Sequence, residues 1–380
     1  MIRVLTVFGT RPEAIKLSPV IEELERTNAF ESIVCVTGQH SQLLDQALKL
    51  FKINPKINLN LMTPNQDLAY FFSKAFSGII KCINDERPDL LIVQGDTHSA
   101  LAAAFAGFHT KTKVVHVEAG LRTGVPSSPF PEETNRTLIA DLAAFHFAPT
   151  LLAKKNLLRE GIPEERIEMT GNTIVDALNM ILERMPLQTH SNWLNQLDPL
   201  GAWLANSVNY GVITCHRREN FGSGISNVCQ AVKQIALEFP SFHWVFALHP
   251  NPNIQNIAEA ELKGLRNVFL TPGLEYLDFI RLISNCKLIV SDSGGIQEEA
   301  VCLRKKVLLL RTVTEREEAI ASGLVKIVGV DPEKILSEVK SFFKSENSEQ
   351  SNLSFENPYG NGTAAKKIVA RIVRGIDALA

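Results

Sequence analysis

Short runs of β-branched and apolar residues alternate with longer amphipathic segments along most of this 380-residue chain. Such alternation is typical of βαβ units, in which helices connect buried parallel strands. The pattern therefore predicts an α/β protein built on doubly wound parallel sheets. The predicted strands are Ile2–Phe8, Ile33–Thr37, Leu90–Gln94, Val114–Glu118, Tyr210–Thr214, Trp244–Leu248, Val268–Leu270, Leu288–Ser291 and Lys306–Leu310.

The alternation weakens after about residue 178, in a polar stretch interrupted by prolines, and restarts at Tyr210. A chain of this length is long enough to form two domains. We therefore predict two Rossmann-like domains, residues 1–175 and 176–363, followed by a last helix within residues 364–380.

Composition excludes several classes of function. A net charge of -2 provides no basic field for nucleic acid or an anionic membrane. No apolar run reaches the ~18–20 residues of a membrane span, and the N-terminus does not resemble a secretory signal. The six cysteines include no C-x-x-C pair, which favours reduced, mostly buried thiols in a cytoplasmic protein.

The ends of the predicted strands carry carboxylates. Asp96 and Glu118 follow two neighbouring strands, and Glu132 opens a helix after the proline-rich loop "SPFP". Ligands of parallel sheets bind at the carboxyl ends of the strands. Capping a helix is an alternative explanation for Asp96 and for Glu132. For Glu118, which ends a strand ahead of a glycine, a functional role is favoured.

Cations also follow the strands. Arg11 and Lys16 lie around the first turn of a helix, where a diphosphate-binding role and an ordinary solvated helix start are about equally plausible. His216 and Arg217 follow a strand of the second domain and suit a phosphate or a developing anion. Cys215 is discounted as a nucleophile because adjacent residues of an extended chain point in opposite directions.

The segment "SDSGGIQEEA" poses a question. Its Ser293-Gly294-Gly295 turn opens a helix whose N–H groups favour an anion, yet Glu298 and Glu299 follow at once. Dinucleotide and P-loop fingerprints are absent, and no His, Cys and Asp cluster has metal-ligand spacing. The sequence therefore predicts local anion binding with neither a metal nor a cofactor.

Taken in order, the motifs "FGTRPEAIK", "QGD", "HVEAGLRTG", "HRREN", "HPNP" and "SDSGGIQEEA" resemble those of the non-hydrolysing UDP-N-acetylglucosamine 2-epimerases. The resemblance covers residues 1 to about 365. It implies a GT-B fold, UDP bound mainly by the C-terminal domain, and a last helix that returns to the N-terminal domain. It also implies inversion of C2 through elimination of UDP to a 2-acetamidoglucal, a homodimer, and a place in polysaccharide biosynthesis.

The resemblance assigns roles residue by residue. The implied catalytic residues are Asp96, Glu118, Glu132 and His216, with base and acid left unassigned. The implied substrate contacts are Arg11, Lys16, Phe279, Ser293, Gly294, Gly295, Glu299 and Arg316. An adjacent activating site for a second UDP-sugar would involve Gln39, His40, Gln42, Arg217 and His249. Glu299 would accept hydrogen bonds from the ribose hydroxyls, and Glu298 is expected to pair with a neighbouring cation.

Three alternatives remain open. The first shares the fold and the carboxylates, and is either a hydrolysing epimerase that releases free N-acetylmannosamine and UDP or a related epimerase whose UDP-sugar carries a modified sugar. A GT-B glycosyltransferase would need an acceptor pocket, and the three carboxylates argue against it. A non-enzymatic UDP-sugar sensor is disfavoured because Asp96, Glu118 and Glu132 are all present.

Overall fold

The computed structural model describes residues 1–38, 41–63, 67–184, 199–204, 209–217, 220–249, 251–346 and 355–375. The chain divides into two compact units. The first comprises Met1–Leu182 with Pro358–Ala380, and the second comprises Glu183–Asn357. The sequence placed these divisions after residues 175 and 363.

The first unit contains a seven-stranded sheet in which every described pairing is parallel. Its strands are β1 (Ile2–Phe8), β2 (Phe30–Val36), β3 (Ile57–Asn58), β4 (Leu90–Gln94), β5 (Lys113–Val117), β6 (Phe145–Ala148) and β7 (Ile167–Met169). They lie in the order β3-β2-β1-β4-β5-β6-β7. The order reverses between β1 and β4, and ligands of such sheets bind at that point.

Helices cover this sheet. They are α1 (Arg11–Arg26), α2 (Ser41–Phe51), α3 (Leu68–Glu86), α4 (His98–Thr110), α5 (Glu132–Leu142), α6 (Leu151–Arg159) and α7 (Thr173–Arg184). A short 3-10 turn spans Glu164–Arg166. Every residue of β4 is buried, as expected for a central parallel strand covered on both faces.

The second unit contains a six-stranded parallel sheet in the order β10-β9-β8-β11-β12-β13. Its strands are β8 (Tyr210–Thr214), β9 (His243–Ala247), β10 (Val268–Thr271), β11 (Leu288–Ser291), β12 (Lys306–Leu309) and β13 (Val325–Ile327). Its helices are α8 (Leu200–Leu204), α9 (Ser223–Glu238), α10 (Pro252–Leu262), α11 (Tyr276–Asn285), α12 (Gly294–Cys302), α13 (Glu317–Ala321) and α14 (Pro332–Glu346). Here the order reverses between β8 and β11.

The last described helix, α15 (Ala364–Gly375), belongs to the first unit and packs against α1. Asp176 on α7 accepts hydrogen bonds from the backbone N–H groups of Ala364 (3.2 Å) and Ala365 (3.0 Å). These are among the N–H groups that a helix leaves without an intrahelical partner, so this carboxylate fixes the start of α15.

The α/β class with two Rossmann-like parallel sheets is confirmed. Four predicted strands have the observed bounds: Ile2–Phe8, Leu90–Gln94, Tyr210–Thr214 and Leu288–Ser291. The buried thiols are confirmed as well, since all six cysteines are free and five of them are buried. No helix in the described part of the chain is both long and apolar enough to cross a membrane.

Candidate active site

Glu118 follows β5 and is held by three donors in the first unit. Lys16 forms a buried ion pair with its Oε2 atom, Asn172 donates to the same oxygen (3.1 Å), and Gln94 donates to Oε1 (3.0 Å). The backbone of Glu118 lies in the left-handed region, with φ 63°, which is uncommon for a residue other than glycine. The surrounding contacts therefore hold this carboxylate in one orientation beside a cation.

Asp96 follows β4, the strand next to β5, and forms the second carboxylate–cation pair. Arg136 on α5 donates to its Oδ2 atom through Nε (3.0 Å) and Nη2, and through Nη1 to Glu133 (3.1 Å). Asn135 donates to the Asp96 carbonyl (2.8 Å). Because Arg136 is buried, its charge acts on Asp96 with little screening by water.

Glu132 is the first residue of α5, half-buried, and lies one turn before Arg136. The adjacent Glu133 is the structural carboxylate of this segment. It accepts hydrogen bonds from the N–H groups of Thr123 (2.9 Å) and Gly124 (3.0 Å) and so ties the loop after β5 to α5.

Glu13 connects the loop after β1 to the turn after β4, across the point where the strand order reverses. It is 1% exposed. Its Oε2 atom accepts from the N–H groups of Gly9 (3.0 Å) and Thr10 (2.8 Å), while the hydroxyl of Thr97 donates to Oε1 (2.7 Å). It thereby links the start of α1, which carries Arg11 in its first turn and Lys16 in its second, to the Asp96 turn.

Burial raises the pKa of Glu13 from 4.5 to about 7, and the hydrogen bonds from Thr97, Gly9 and Thr10 oppose that rise. The folded protein therefore binds this proton more tightly than the unfolded chain does. We expect the free energy of unfolding of the wild type, relative to Glu13→Gln, to be highest below pH 4.5 and to fall as the pH rises to about 7. The expected fall is about 3 kcal/mol.

Urea unfolding followed by far-UV circular dichroism at several pH values measures this difference. The Gln variant is the matched control because it has the same shape and does not titrate. Parallel pH profiles for the two proteins would show that Glu13 does not titrate in this window.

In the second unit, His216 and Asp292 come together after the paired strands β8 and β11. Nδ1 of His216 lies 3.2 Å from Oδ1 of Asp292, which is fully buried. The ring of His249 stacks on that of His216, with centroids 6.2 Å apart and planes 19° apart. Burial raises the pKa of the Cys215 thiol, which agrees with discounting it as a nucleophile.

The start of α12 is flanked by two guanidinium groups. Ser293 is its N-cap, and a Cβ atom built on Gly294 would lie 2.9 Å from Nη1 of Arg316 and 3.3 Å from Nη2 of Arg217. The buried Nε atom of Arg217 has no hydrogen-bond partner among the described residues. Backbone N–H groups, a helix dipole and two cations together suit a phosphate group.

A buried ion network holds Arg316 in this position. Arg316 donates through Nε to Glu298 (2.7 Å) and through Nη1 to Glu315, which also accepts from Arg311 (3.2 Å). The expected pairing of Glu298 with a cation is confirmed. The apparent conflict in "SDSGGIQEEA" is resolved, because Glu298 positions a cation beside the helix start.

Glu299 lies on another side of the same helix. The hydroxyl of Tyr276 on α11 donates to its Oε1 atom (2.6 Å). Phe279 is half-buried on α11, one turn after Tyr276. Tyr276 therefore orients the carboxylate that the resemblance assigns to the ribose.

The structure describes the side chains of only some of the residues predicted for the activating site. Gln39 and His40 lie outside the described residues, as does the side chain of Gln42 at the start of α2. Arg217 and His249 lie beside Gly294 and His216 respectively, so both border the predicted diphosphate site.

Comparison with known proteins identifies the family of this chain. A family model described as UDP-N-acetylglucosamine 2-epimerase matches residues 22–373. The chain belongs to this family. It is 44% identical over 372 residues to a UDP-N-acetylglucosamine 2-epimerase of Neisseria meningitidis serogroup A, covering 98% of this chain and 99% of that protein.

Solved structures agree with the family assignment. The crystal structure of UDP-GlcNAc 2-epimerase from Neisseria meningitidis bound to UDP-GlcNAc aligns with a TM-score of 0.93 at 44% identity, over 98% of this chain and 100% of that one. A glycosyltransferase from Rickettsia africae aligns with a TM-score of 0.56 at 13% identity over 97% and 93%, a likeness of fold alone. The predicted GT-B fold class of this epimerase-family chain is confirmed.

The sequence did not indicate which side chains hold the predicted site residues in place. These are Glu13, Gln94, Arg136, Asn172, Tyr276, Asp292 and Glu315. Several lie inside the motifs "GTRPEAIK", "PEETNR" and "SDSGG", but a motif does not indicate which side chains meet. Within the described residues, no group of three or more His, Cys, Asp or Glu side chains is arranged to hold a metal ion.

Proposed function

We propose that this epimerase-family protein interconverts UDP-N-acetylglucosamine and UDP-N-acetylmannosamine by inverting C2 of the sugar. The observation that carries the proposal is the pair of cation-bound carboxylates, Asp96 with Arg136 and Glu118 with Lys16, at the ends of adjacent strands. A C2 epimerase needs a group that removes a proton from one face of the ring and a group that returns one to the other face.

The reaction takes place by elimination and re-addition. C2–H has no adjacent carbonyl, so its direct removal as an acid is unfavourable. In the first step a carboxylate takes the C2 proton, the C1–O bond breaks, and its electron pair leaves with the terminal phosphate oxygen of UDP. The product is a 2-acetamidoglucal with a double bond between C1 and C2.

The second step reverses the first on the opposite face. The UDP oxygen attacks C1, and an acid delivers a proton to the other face of C2. Asp96, Glu118 and Glu132 supply the base and the acid, and the assignment among them stays open. Positive charge that develops at C1 is stabilised by carboxylates, as in glycoside cleavage.

The second unit holds UDP throughout. Arg217, Arg316 and the N–H groups at the start of α12 bind the diphosphate, and Glu299 accepts from the ribose hydroxyls. His216 lies at the departing phosphate. Retention of UDP matters because the glucal and UDP must recombine before either escapes.

The remaining assignments stay predictions. Arg11 contacts the substrate from the first turn of α1, and Phe279 from α11. The cytoplasmic location is predicted by the sequence, whereas the homodimer and the activating site with Gln42 are implied by the resemblance.

Product analysis tests the reaction class. Incubation of the protein with UDP-N-acetylglucosamine, followed by ³¹P and ¹H NMR, is expected to give a second UDP-sugar without accumulation of UDP. The same mixture should form from UDP-N-acetylmannosamine. Free N-acetylmannosamine with UDP would identify a hydrolysing enzyme, and unchanged substrate in both directions would identify a binding protein.

A further inference from the structure

His116 is a buried histidine of β5 to which the proposed reaction assigns no role. It is 0% exposed, and its ring packs within the first unit. Its Nε2 atom lies 2.8 Å from the carbonyl oxygen of Gly95, the residue that precedes Asp96. A carbonyl oxygen accepts hydrogen bonds and donates none, so this contact requires a proton on Nε2.

Burial keeps the His116 ring uncharged near neutral pH. It lowers the pKa of the ring from 6.5 to about 4, although the hydrogen bond to the Gly95 carbonyl opposes that fall. A neutral imidazole carries one N–H group, and here that group is Nε2–H. The other nitrogen, Nδ1, has no hydrogen-bond partner among the described residues. Within the described part of the chain, the bond to Gly95 is therefore the one hydrogen bond of this ring.

Gly95 is a position at which the backbone needs such a restraint. Its φ is 67°, and glycine changes φ and ψ at little cost because it has no Cβ atom. Rotation of the peptide between Gly95 and Asp96 would redirect the Asp96 side chain. Two neighbouring residues of β5 hold Gly95 on both sides. The carbonyl of Val117 accepts from its N–H group (3.0 Å), and the ring of His116 donates to its carbonyl.

We propose that His116 is a positioning residue that holds the peptide between Gly95 and Asp96. It thereby fixes the Asp96 carboxylate relative to Glu118, which lies two residues beyond His116 on the same strand end. Arg136 holds the Asp96 side chain from α5, whereas His116 holds the backbone that leads into it. The inference rests on the proposed function and deepens it, because both carboxylates act on the sugar in that reaction.

The alternative is that His116 only provides a hydrogen bond for a buried carbonyl and stabilises the sheet. Both roles predict a less stable protein when the donor is removed, because the Gly95 carbonyl is then left unpaired in the interior. The two roles differ in what they predict for turnover. Only the positioning role predicts that kcat depends on the hydrogen bond to Gly95 and not on stability.

The first test compares two substitutions of equal chain length. The amide nitrogen of Gln lies as many bonds from Cα as Nε2 and can donate to Gly95, whereas Met cannot donate. His116→Met is expected to lower kcat by about 10–100-fold, with little change in KM or in the affinity for UDP. His116→Gln should recover most of that loss. Equal losses of kcat in both variants, or an unchanged kcat in His116→Met, would overturn the proposal.

The second test observes the peptide itself. Gly95 and Asp96 form the only Gly-Asp pair in the sequence. A protein made by cell-free synthesis with [1-¹³C]glycine and ¹⁵N-aspartate therefore gives a single HNCO peak. The ¹³C shift of the Gly95 carbonyl is expected to move upfield in His116→Met and to return towards the wild-type value in His116→Gln. A loss of kcat with an unmoved Gly95 carbonyl would assign His116 a purely structural role.

His146→Met is the matched control. His146 neighbours His116 from β6, with ring centroids 6.4 Å apart, and is also 0% exposed. The substitution removes an adjacent buried imidazole and leaves the bond to Gly95 in place. Its kcat and its Gly95 carbonyl shift should match those of the wild type. A loss of kcat as large as that of His116→Met would show that the bond to Gly95 is not what turnover requires.

The tautomer of the wild type tests the proposal even if His116→Met does not fold. In the protein labelled with ¹⁵N-histidine, with His116 assigned by its loss in His116→Gln, long-range ¹H–¹⁵N spectra should show a proton on Nε2 and none on Nδ1. A proton on Nδ1 alone would overturn the proposal. An inactive wild type would refute the proposed function, whereas an active wild type with the wrong tautomer would refute this inference alone.

Discussion

Glu118→Gln is expected to lower kcat by about 10²–10⁴-fold while leaving the affinity for UDP within about twofold. The carboxylate is lost from the sugar side of the reaction, whereas the residues proposed to bind UDP lie in the second unit. The amide also fits its pocket poorly. Lys16, Gln94 and Asn172 all donate to this position, and an amide brings only one acceptor oxygen.

Asp96→Asn should have an effect of similar size, because the neutral amide loses the ion pair with Arg136. Steady-state kinetics with UDP-N-acetylglucosamine and calorimetric titration with UDP separate turnover from binding. Asp176→Asn is the matched control. It also neutralises a buried carboxylate of the first unit, but one that holds α15, so it should reduce stability and leave kcat nearly unchanged. Near-normal turnover in both Asp96→Asn and Glu118→Gln would refute the catalytic assignment.

Arg316→Met is expected to destabilise the second unit by about 3–5 kcal/mol, in addition to weakening UDP binding. Glu298 is 0% exposed and Glu315 is 5% exposed. Without Arg316, both carboxylates stay in the interior with less compensating charge. Since protonation relieves an uncompensated carboxylate, the destabilisation should shrink as the pH falls below neutrality.

Tryptophan fluorescence during urea unfolding suits this measurement, because all three tryptophans of the chain fall within residues 183–357. Lys326→Met is the control. It removes a cation of the same unit whose ion pair with Glu338 lies at the surface, where the cost is at most about 1 kcal/mol. Equal losses of stability in the two variants would show that burial of the Arg316 network does not determine how much the network stabilises the second unit.

The central strands could be predicted from the sequence because a strand buried on both faces is a nearly continuous apolar run. Leu90–Gln94 and Leu288–Ser291 are such runs. The short strands Phe145–Ala148, Ile167–Met169 and Val325–Ile327 were missed. Runs of three or four residues lack a detectable period, and their pairing is decided by the sheet that they join.

The carboxylates at the strand ends could also be predicted, because parallel strands bring their carboxyl ends to one edge of the sheet. Their partners could not. Asn172 lies 54 positions from Glu118, Arg136 lies 40 positions from Asp96, and Asp292 lies 76 positions from His216. Which loop side chains converge on a carboxylate depends on loop conformation, and the hydrophobic pattern carries no information about it.

If C2 loses its proton while UDP leaves, the reaction in D₂O exchanges the hydrogen at C2, and NMR detects that exchange. UDP-N-acetylglucosamine is incubated with the protein until the two epimers reach equilibrium, and the C2 positions of both are observed. Deuterium is expected at C2 of both UDP-sugars, with no free sugar released. Formation of UDP-N-acetylmannosamine with the original C2 proton retained would refute elimination and re-addition.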